Sequence, residues 1–72
     1  MTLKVLIRPE AEGGYSACVP AMPGCHSQGE SREEVLANIR EAANLWIEVQ
    51  AERAVRESEI DANRYELREI VL

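Results

Sequence analysis

Residues 15–34 read YSACVPAMPGCHSQGESREE, and this stretch decides the fold of the 72-residue chain. Residues 15–19 place their larger or more apolar side chains at every second position, which is typical of a strand with one buried face. Residues 20–24, PAMPG, predict a stiff reversal, because proline fixes φ and glycine accepts a positive φ. Residues 25–28 are short and polar and predict an edge strand antiparallel to the first.

A long amphipathic helix is predicted to follow. Ser31 and Glu34 have the spacing of a capping box, in which the serine hydroxyl accepts a hydrogen bond from the glutamate amide. The helical pattern continues to about Arg56, so the rod is roughly 37 Å long and its last turns, residues 50–56, overhang the sheet. The apolar stripe expected to face the sheet consists of Val35, Ile39, Ala42, Trp46 and Val49, widened by Leu36, Ala43 and Ile47.

Two further strands are predicted from the flanks. Residues 2–8 alternate in a period of two and end at Pro9, and residues 65–72 return to strand-like composition. The predicted fold class is therefore α+β with the order β-β-β-α-β: a three- to four-stranded sheet with one long helix packed on one face. At this length we expect one domain over residues 1–72.

Composition excludes several classes of protein. Apolar residues make up 46% and charged residues 29%, an ordinary globular mixture. The longest apolar runs are three residues, against the roughly 18 of a membrane span, and the N-terminus has no signal-peptide pattern, so the cytoplasm is expected. A formal net charge of −5 disfavours direct binding of nucleic acid. Because so small a domain is marginal alone, a homo-oligomer, a dimer or tetramer, is expected.

The inventory of chemically active residues is sparse. His26 lies beside Cys25, but adjacent residues of a strand point to opposite faces, and a zinc site usually needs four ligands. Cys18 and Cys25 flank a turn and are interpreted as two small buried thiols. The sequence therefore predicts no enzyme, no cofactor and no metal site, with a small ligand- or metal-binding domain using Cys25 and His26 as an alternative.

Acidic residues concentrate on the helix. One interpretation is a solvated face with supporting charge pairs such as Glu52 with Arg56, and the other is an acidic surface for a cationic partner. Trp46 lies in the apolar stripe and is interpreted as a core residue. The acidic helix residues are Glu33, Glu34, Glu41, Glu48 and Glu52.

The chain resembles the HicB-like antitoxin family over most of its length. That family's pattern reads roughly Tyr-x-Ala-x-Val-Pro-x-x-Pro-Gly-Cys-x-Ser-x-Gly, a Ser/Thr-x-x-Glu helix start, and Asn-Ile-x-Glu-Ala. The matching residues are Tyr15, Ala17, Val19, Pro20, Pro23, Gly24, Cys25, Ser27, Gly29, Ser31, Glu34, Asn38, Ile39, Glu41 and Ala42.

The resemblance implies a partial RNase H-like fold with the sheet order 3-2-1-4, oligomers built from it, and a function. That function is to bind and mask a small basic mRNA-cleaving toxin of the HicA type. Residues 2–8 contain no carboxylate, whereas an RNase H site needs metal-binding carboxylates, one of them on the first strand, so the fold implies no nuclease activity. Fuller family members append a segment that binds operator DNA, which we do not expect here.

The leading hypothesis is thus a non-catalytic protein-binding module, with a stand-alone self-associating domain of unknown ligand as an alternative. Partner contacts are expected on the exposed edge strands, the acidic helix face and the overhanging helix end. The candidate partner-binding residues are His26, Gln28, Glu48, Glu52 and Arg56.

Overall fold

The computed structural model describes residues 2–57, 64–66 and 68–71. Three short strands precede one long helix: β1 Leu6–Pro9, β2 Tyr15–Cys18, β3 His26–Gly29 and α1 Arg32–Glu57. The predicted α+β class, with one helix packed on one face of an antiparallel sheet, is confirmed.

The sheet has the order β1-β2-β3, so β2 is central and antiparallel to both neighbours. The predicted reversal at residues 20–24 is confirmed. In it, the Val19 amide donates to the Cys25 carbonyl at 3.2 Å, and the Met22 amide donates to the Val19 carbonyl at 2.9 Å. Gly24 has φ +85°, a conformation that L side chains rarely adopt, which explains the glycine at the end of the loop.

The helix begins where the capping pattern predicts. The Glu34 amide donates to the Ser31 hydroxyl at 3.1 Å, and the Val35 amide donates to the Ser31 carbonyl at 2.9 Å. Glu33 and Glu34 lie in the first turn, where negative charge complements the helix dipole. The helix start passes so close to β3 that a Cβ built on Gly29 would lie 2.5 Å from the Val35 nitrogen.

One small core lies between the sheet and the first half of the helix. The helix packs against β3 and β2. The buried core residues are Ala17, Val19, Met22, Cys25, Val35, Ile39 and Ala43, with Leu3, Val5, Ile7, Tyr15, Ala42 and Trp46 partly buried around them.

The helix is much longer than the sheet it covers. Its 26 residues span about 39 Å, whereas a four-residue strand spans about 13 Å. The predicted overhang is therefore confirmed. The prediction that Leu36, Ile47 and Val49 complete the core stripe is wrong, since they are 47%, 38% and 40% exposed. Leu36 lies on the flank of the helix, and Val49 lies beyond the end of the sheet.

Two strand predictions need correction. The first strand forms over Leu6–Pro9 rather than residues 2–8, although Leu3 and Val5 still pack on the core. The predicted strand at residues 65–72 is absent from the described residues 64–66 and 68–71, and Leu67 and Leu72 lie outside the described residues. A strand needs a neighbour for its amides and carbonyls, and this stretch has none in the described part of the chain.

Candidate protein-binding surfaces

The face of the sheet opposite the helix is open. In one cross-strand row, β1 Leu6 faces β2 Cys18, which faces β3 His26. In the second row, Arg8, Ser16 and Gln28 are aligned in the same way. These six side chains line a shallow depression. We call this surface the outer sheet face.

The outer sheet face brings together a thiol and an imidazole that the sequence analysis did not pair. Cys25 is 3% exposed and belongs to the core, whereas the adjacent His26 is exposed on the other face. The expectation that neighbours point apart is confirmed, and a site built from Cys25 and His26 is therefore wrong. The partner of His26 is Cys18, directly across the β2–β3 ladder. Counting the register outward from the reversal would have found it.

A pair of donors does not make a metal centre. Cys18 and His26 supply two ligands where a structural zinc ion takes four. Among the residues that the structure describes, no group of three or more histidine, cysteine, aspartate or glutamate side chains is placed to hold a metal ion. Both cysteines are free thiols. The interpretation of two buried thiols holds for Cys25, while Cys18 is only half-buried.

A small polar network closes the end of the β1–β2 hairpin. The Ser16 hydroxyl donates to Glu10 Oε1 at 2.5 Å, and Arg8 Nε donates to the same oxygen at 3.1 Å. The pKa of the Glu10 carboxyl is held below its usual value mainly by the hydrogen bond from Ser16. The hydrogen bond from Arg8 and its positive charge make smaller contributions in the same direction. Glu10 therefore stays ionised and serves the turn, with no feature of an acid catalyst.

Four carboxylates line one side of the solvent-exposed helix surface, which also carries exposed arginines elsewhere, such as Arg40 and Arg53. Glu34, Glu41, Glu48 and Glu52 recur at spacings of seven and four, which places them on one side of α1, and all four are exposed. They lie opposite the buried residues Val35, Ile39 and Ala43. We call this surface the acidic stripe. Leu45 lies beside it and is 60% exposed.

The predicted partner-binding residues fall on two different surfaces. His26 and Gln28 are exposed on the outer sheet face, whereas Glu48, Glu52 and Arg56 lie on the overhanging half of the helix. Because the helix packs on the inner face of the sheet, the two groups point in different directions. One flat partner cannot contact both groups.

Several motif residues have structural roles. Asn38 Nδ2 donates to the Gln28 carbonyl at 2.7 Å, which fixes the helix to β3. Arg32 lies 5.3 Å from the centre of the Tyr15 ring, within cation–π range. Ala17, Val19 and Cys25 are core residues, Gly24 and Gly29 serve the backbone, and Ser31 caps the helix. Of the others, Pro20, Pro23 and Glu41 are exposed and Ser27 is half-buried.

One contact that sequence reasoning missed joins the helix to the reversal. Trp46 Nε1 donates to the Pro23 carbonyl at 2.9 Å. Trp46 is half-buried and packs against the core, so its ring serves the core as predicted while its polar end holds the loop. Trp46 and Pro23 are separated by 23 positions in the sequence, so no local sequence pattern predicts their contact.

Comparison with known proteins identifies relatives that carry the name UPF0150 protein. A UPF0150 protein of Synechocystis sp. is 52% identical over 44 residues, which cover 61% of this chain and 56% of the relative. A UPF0150 protein of Thermoplasma acidophilum is 44% identical over 48 residues, covering 67% and 70% of the two chains. One from Archaeoglobus fulgidus is 37% identical over 49 residues, covering 68% and 71%. The aligned part thus spans little more than half of the Synechocystis relative.

A family model described as HicB_like antitoxin of bacterial toxin-antitoxin system matches residues 3–68. No solved structure gives a significant match. Within the described residues, no helix has the length and apolar character needed to cross a membrane. The family match covers nearly the whole chain and includes every motif residue discussed above, and the chain belongs to the HicB-like antitoxin family.

Proposed function

We propose that this protein is a non-catalytic antitoxin that binds and masks a small basic HicA-type mRNA-cleaving toxin in the cytoplasm. Membership of the antitoxin family supports the role. The net charge of −5 suits a basic partner. Masking requires a complementary surface and no reacting groups, which agrees with the sparse chemistry of the described residues.

The acidic stripe is the observation that carries this proposal. From Glu34 to Glu52 it extends over about 27 Å of helix, comparable with the width of a small protein. The four carboxylates are exposed and raise the local concentration of a cationic partner, which speeds association. Exposed Leu45 supplies apolar contact area beside the charges. Charge provides orientation and on-rate, and apolar burial provides affinity.

We further propose that the protein self-associates. Only seven side chains are buried in the core among the residues that the structure describes, and large apolar residues including Leu6, Leu45 and Ile70 are exposed. Small domains of this kind commonly gain stability from a second copy. If self-association occurs without any toxin, the protein is the stand-alone domain considered as the alternative above.

Binding of the protein to the product of the adjacent gene, which the proposal expects to be a small basic HicA-type toxin, tests the antitoxin role. The variant Glu48→Lys should weaken binding about tenfold, or about 1.4 kcal/mol, because it reverses one charge in the middle of the stripe. Glu12→Lys is the matched control, since it makes the same change at an exposed position of the β1–β2 turn and should leave affinity within about twofold. Calorimetry at two salt concentrations measures both.

The outcomes separate the parts of the proposal. Absence of micromolar binding by the wild type would contradict the antitoxin role. If Glu48→Lys leaves the affinity for the toxin unchanged while His26→Ala and Gln28→Ala abolish binding, the toxin binds the outer sheet face. That result would refute the assignment of toxin binding to the acidic stripe.

A further inference from the structure

The register of the β2–β3 ladder brings the Cys18 thiol and the His26 imidazole close together. The Val19 amide donates to the Cys25 carbonyl, so these two residues form a hydrogen-bonded pair of the ladder. Hydrogen-bonded and non-hydrogen-bonded pairs alternate along antiparallel strands. Cys18 and His26 are the next pair and are therefore non-hydrogen-bonded, the class in which Cα atoms lie about 4.5 Å apart and side chains approach most closely.

A second contact agrees with this alternation. In a non-hydrogen-bonded pair the backbone carbonyl points away from the facing strand. Gln28 lies two residues beyond His26 and belongs to the same class, and its carbonyl accepts the hydrogen bond from Asn38 on the helix. Because Cys18 and His26 both line the depression on the outer sheet face, their side chains can exchange a proton directly or through one water.

The surroundings of Cys18 favour a small anionic reagent. The thiol is half-buried in the open depression, with Leu6 on its other side. Arg8 lies on β1 diagonally across from Cys18, a separation of about 7–8 Å that a long side chain spans. Arg8 binds Glu10 through Nε, and its side chain is 78% exposed, so its terminal nitrogens can also bind a carboxylate.

The folded chain offers Cys18 no thiol with which to form a disulfide. The sequence has two cysteines, and the other one, Cys25, is 3% exposed in the core, whereas Cys18 lies on the outer sheet face. A disulfide needs Cβ atoms within about 4.5 Å that point toward each other, so side chains on opposite faces of a sheet cannot be joined without backbone movement. An oxidised Cys18 therefore takes its second sulfur from outside the chain.

We propose that Cys18 is a reversible modification site that reacts with low-molecular-weight disulfides carrying carboxylates, with His26 as its base. His26 takes the proton of the Cys18 thiol, and the thiolate attacks one sulfur of the reagent. The S–S bond of the reagent breaks as the new Sγ–S bond forms, and the released thiolate takes the proton from the His26 imidazolium. The products are a mixed disulfide on the protein and one free thiol, so the reagent is the oxidant. An excess of thiol reverses the reaction.

The modification adds negative charge to the outer sheet face, because the reagent leaves its carboxylates beside Arg8 and His26. The acidic stripe lies on the helix, which packs on the other face of the sheet. The reaction can therefore be measured without a toxin, and its failure would leave the antitoxin role standing.

Mass spectrometry of the full chain treated with oxidised glutathione tests the proposal. One glutathione should be added per folded chain, at Cys18, while Cys25 should react at least about a hundredfold more slowly because its thiol is protected until the core opens. Cys18 should also react about tenfold faster than the same thiol in a peptide of residues 14–22, where no histidine faces it. A rate no higher than that of the peptide would overturn the proposal, as would a disulfide-linked pair of chains as the main product.

Variants separate the base from the charge. His26→Ala should slow the reaction about tenfold with oxidised glutathione and with uncharged hydroxyethyl disulfide, whereas Gln28→Ala, the matched control on the same strand and face, should stay within about twofold of wild type. Arg8→Gln should slow only the glutathione reaction, by about threefold, because it removes a charge and leaves the base. Circular dichroism checks that every variant is folded. An unchanged rate in His26→Ala would overturn the proposal, and equal slowing of both reagents by Arg8→Gln would overturn the preference for carboxylates.

Discussion

Gly29→Ala should be among the most destabilising single-methyl changes in this protein. Gly29 ends β3 at the point where the helix start crosses it. A Cβ there would lie 2.5 Å from the Val35 nitrogen, 2.9 Å from Val35 Cα and 3.0 Å from the Glu34 carbonyl carbon. All three are backbone atoms of the first helical turn, so no side-chain rotation can relieve the contact.

The expected loss of stability in Gly29→Ala follows from the displacement that the first helical turn must undergo. To reach ordinary contact distance the first turn must shift by several tenths of an ångström, which disturbs the Ser31 cap and the hydrogen bond from Asn38 to β3. Overpacking of this kind costs about 1–3 kcal/mol, and the lost polar contacts bring the expected loss to about 2–3 kcal/mol. A chain of this length has about 4–11 kcal/mol in total.

Urea unfolding followed by circular dichroism measures this effect. With a slope of about 1 kcal/mol per molar, the midpoint should fall by about 2 M or more. Glu30→Ala, one residue along and exposed, is the control and should change stability by less than about 0.5 kcal/mol. All proteins are compared at one concentration, because self-association adds to apparent stability. If Gly29→Ala and Glu30→Ala have the same urea midpoint, the close approach of helix and strand at Gly29 is refuted.

Three further changes test individual contacts. Trp46→Phe removes the donor to the Pro23 carbonyl and should cost about 1 kcal/mol in urea unfolding, with no change in helix content. Ser31→Ala should cost about 1 kcal/mol whereas Ser31→Asp, which can still cap, should be near wild type. The folded pKa of Glu10 is held below 4.5, chiefly by Ser16, so its contribution is present above pH 4.5 and is lost as pH falls through the lowered value. The wild type should therefore be more stable to urea than Glu10→Gln at pH 7. The difference between their urea midpoints should shrink as the pH is lowered to 3.

Local signals predicted most of the fold. The proline-rich reversal, the serine cap and the alternation of residues 15–19 each act over a few neighbouring residues, and each is found where predicted. The strand predicted at residues 65–72 depends on a neighbour from elsewhere, which sequence composition cannot supply. The same limit applies to Val49, whose burial depends on how far the sheet extends beneath the helix.

The candidate surfaces are harder to predict from the sequence than the fold. The acidic stripe follows from helical spacing alone and was anticipated. The pairing of Cys18 with His26 requires the register of the β2–β3 ladder, and the contact of Trp46 with Pro23 requires the packed structure. Cys25 adjoins His26 in the sequence, but alternation along a strand places the two side chains on opposite faces of the sheet.

Because the two cysteines differ in exposure, the rates at which they react with a thiol reagent report on different states of the protein. Cys18, half-buried on the outer sheet face, can be reached by a thiol reagent in the folded state, whereas Cys25, 3% exposed, is protected until the core opens. The labelling rate at Cys25 therefore gives the free energy of opening. Slowed labelling at Cys18 would show which surface a bound toxin covers, without any engineered label.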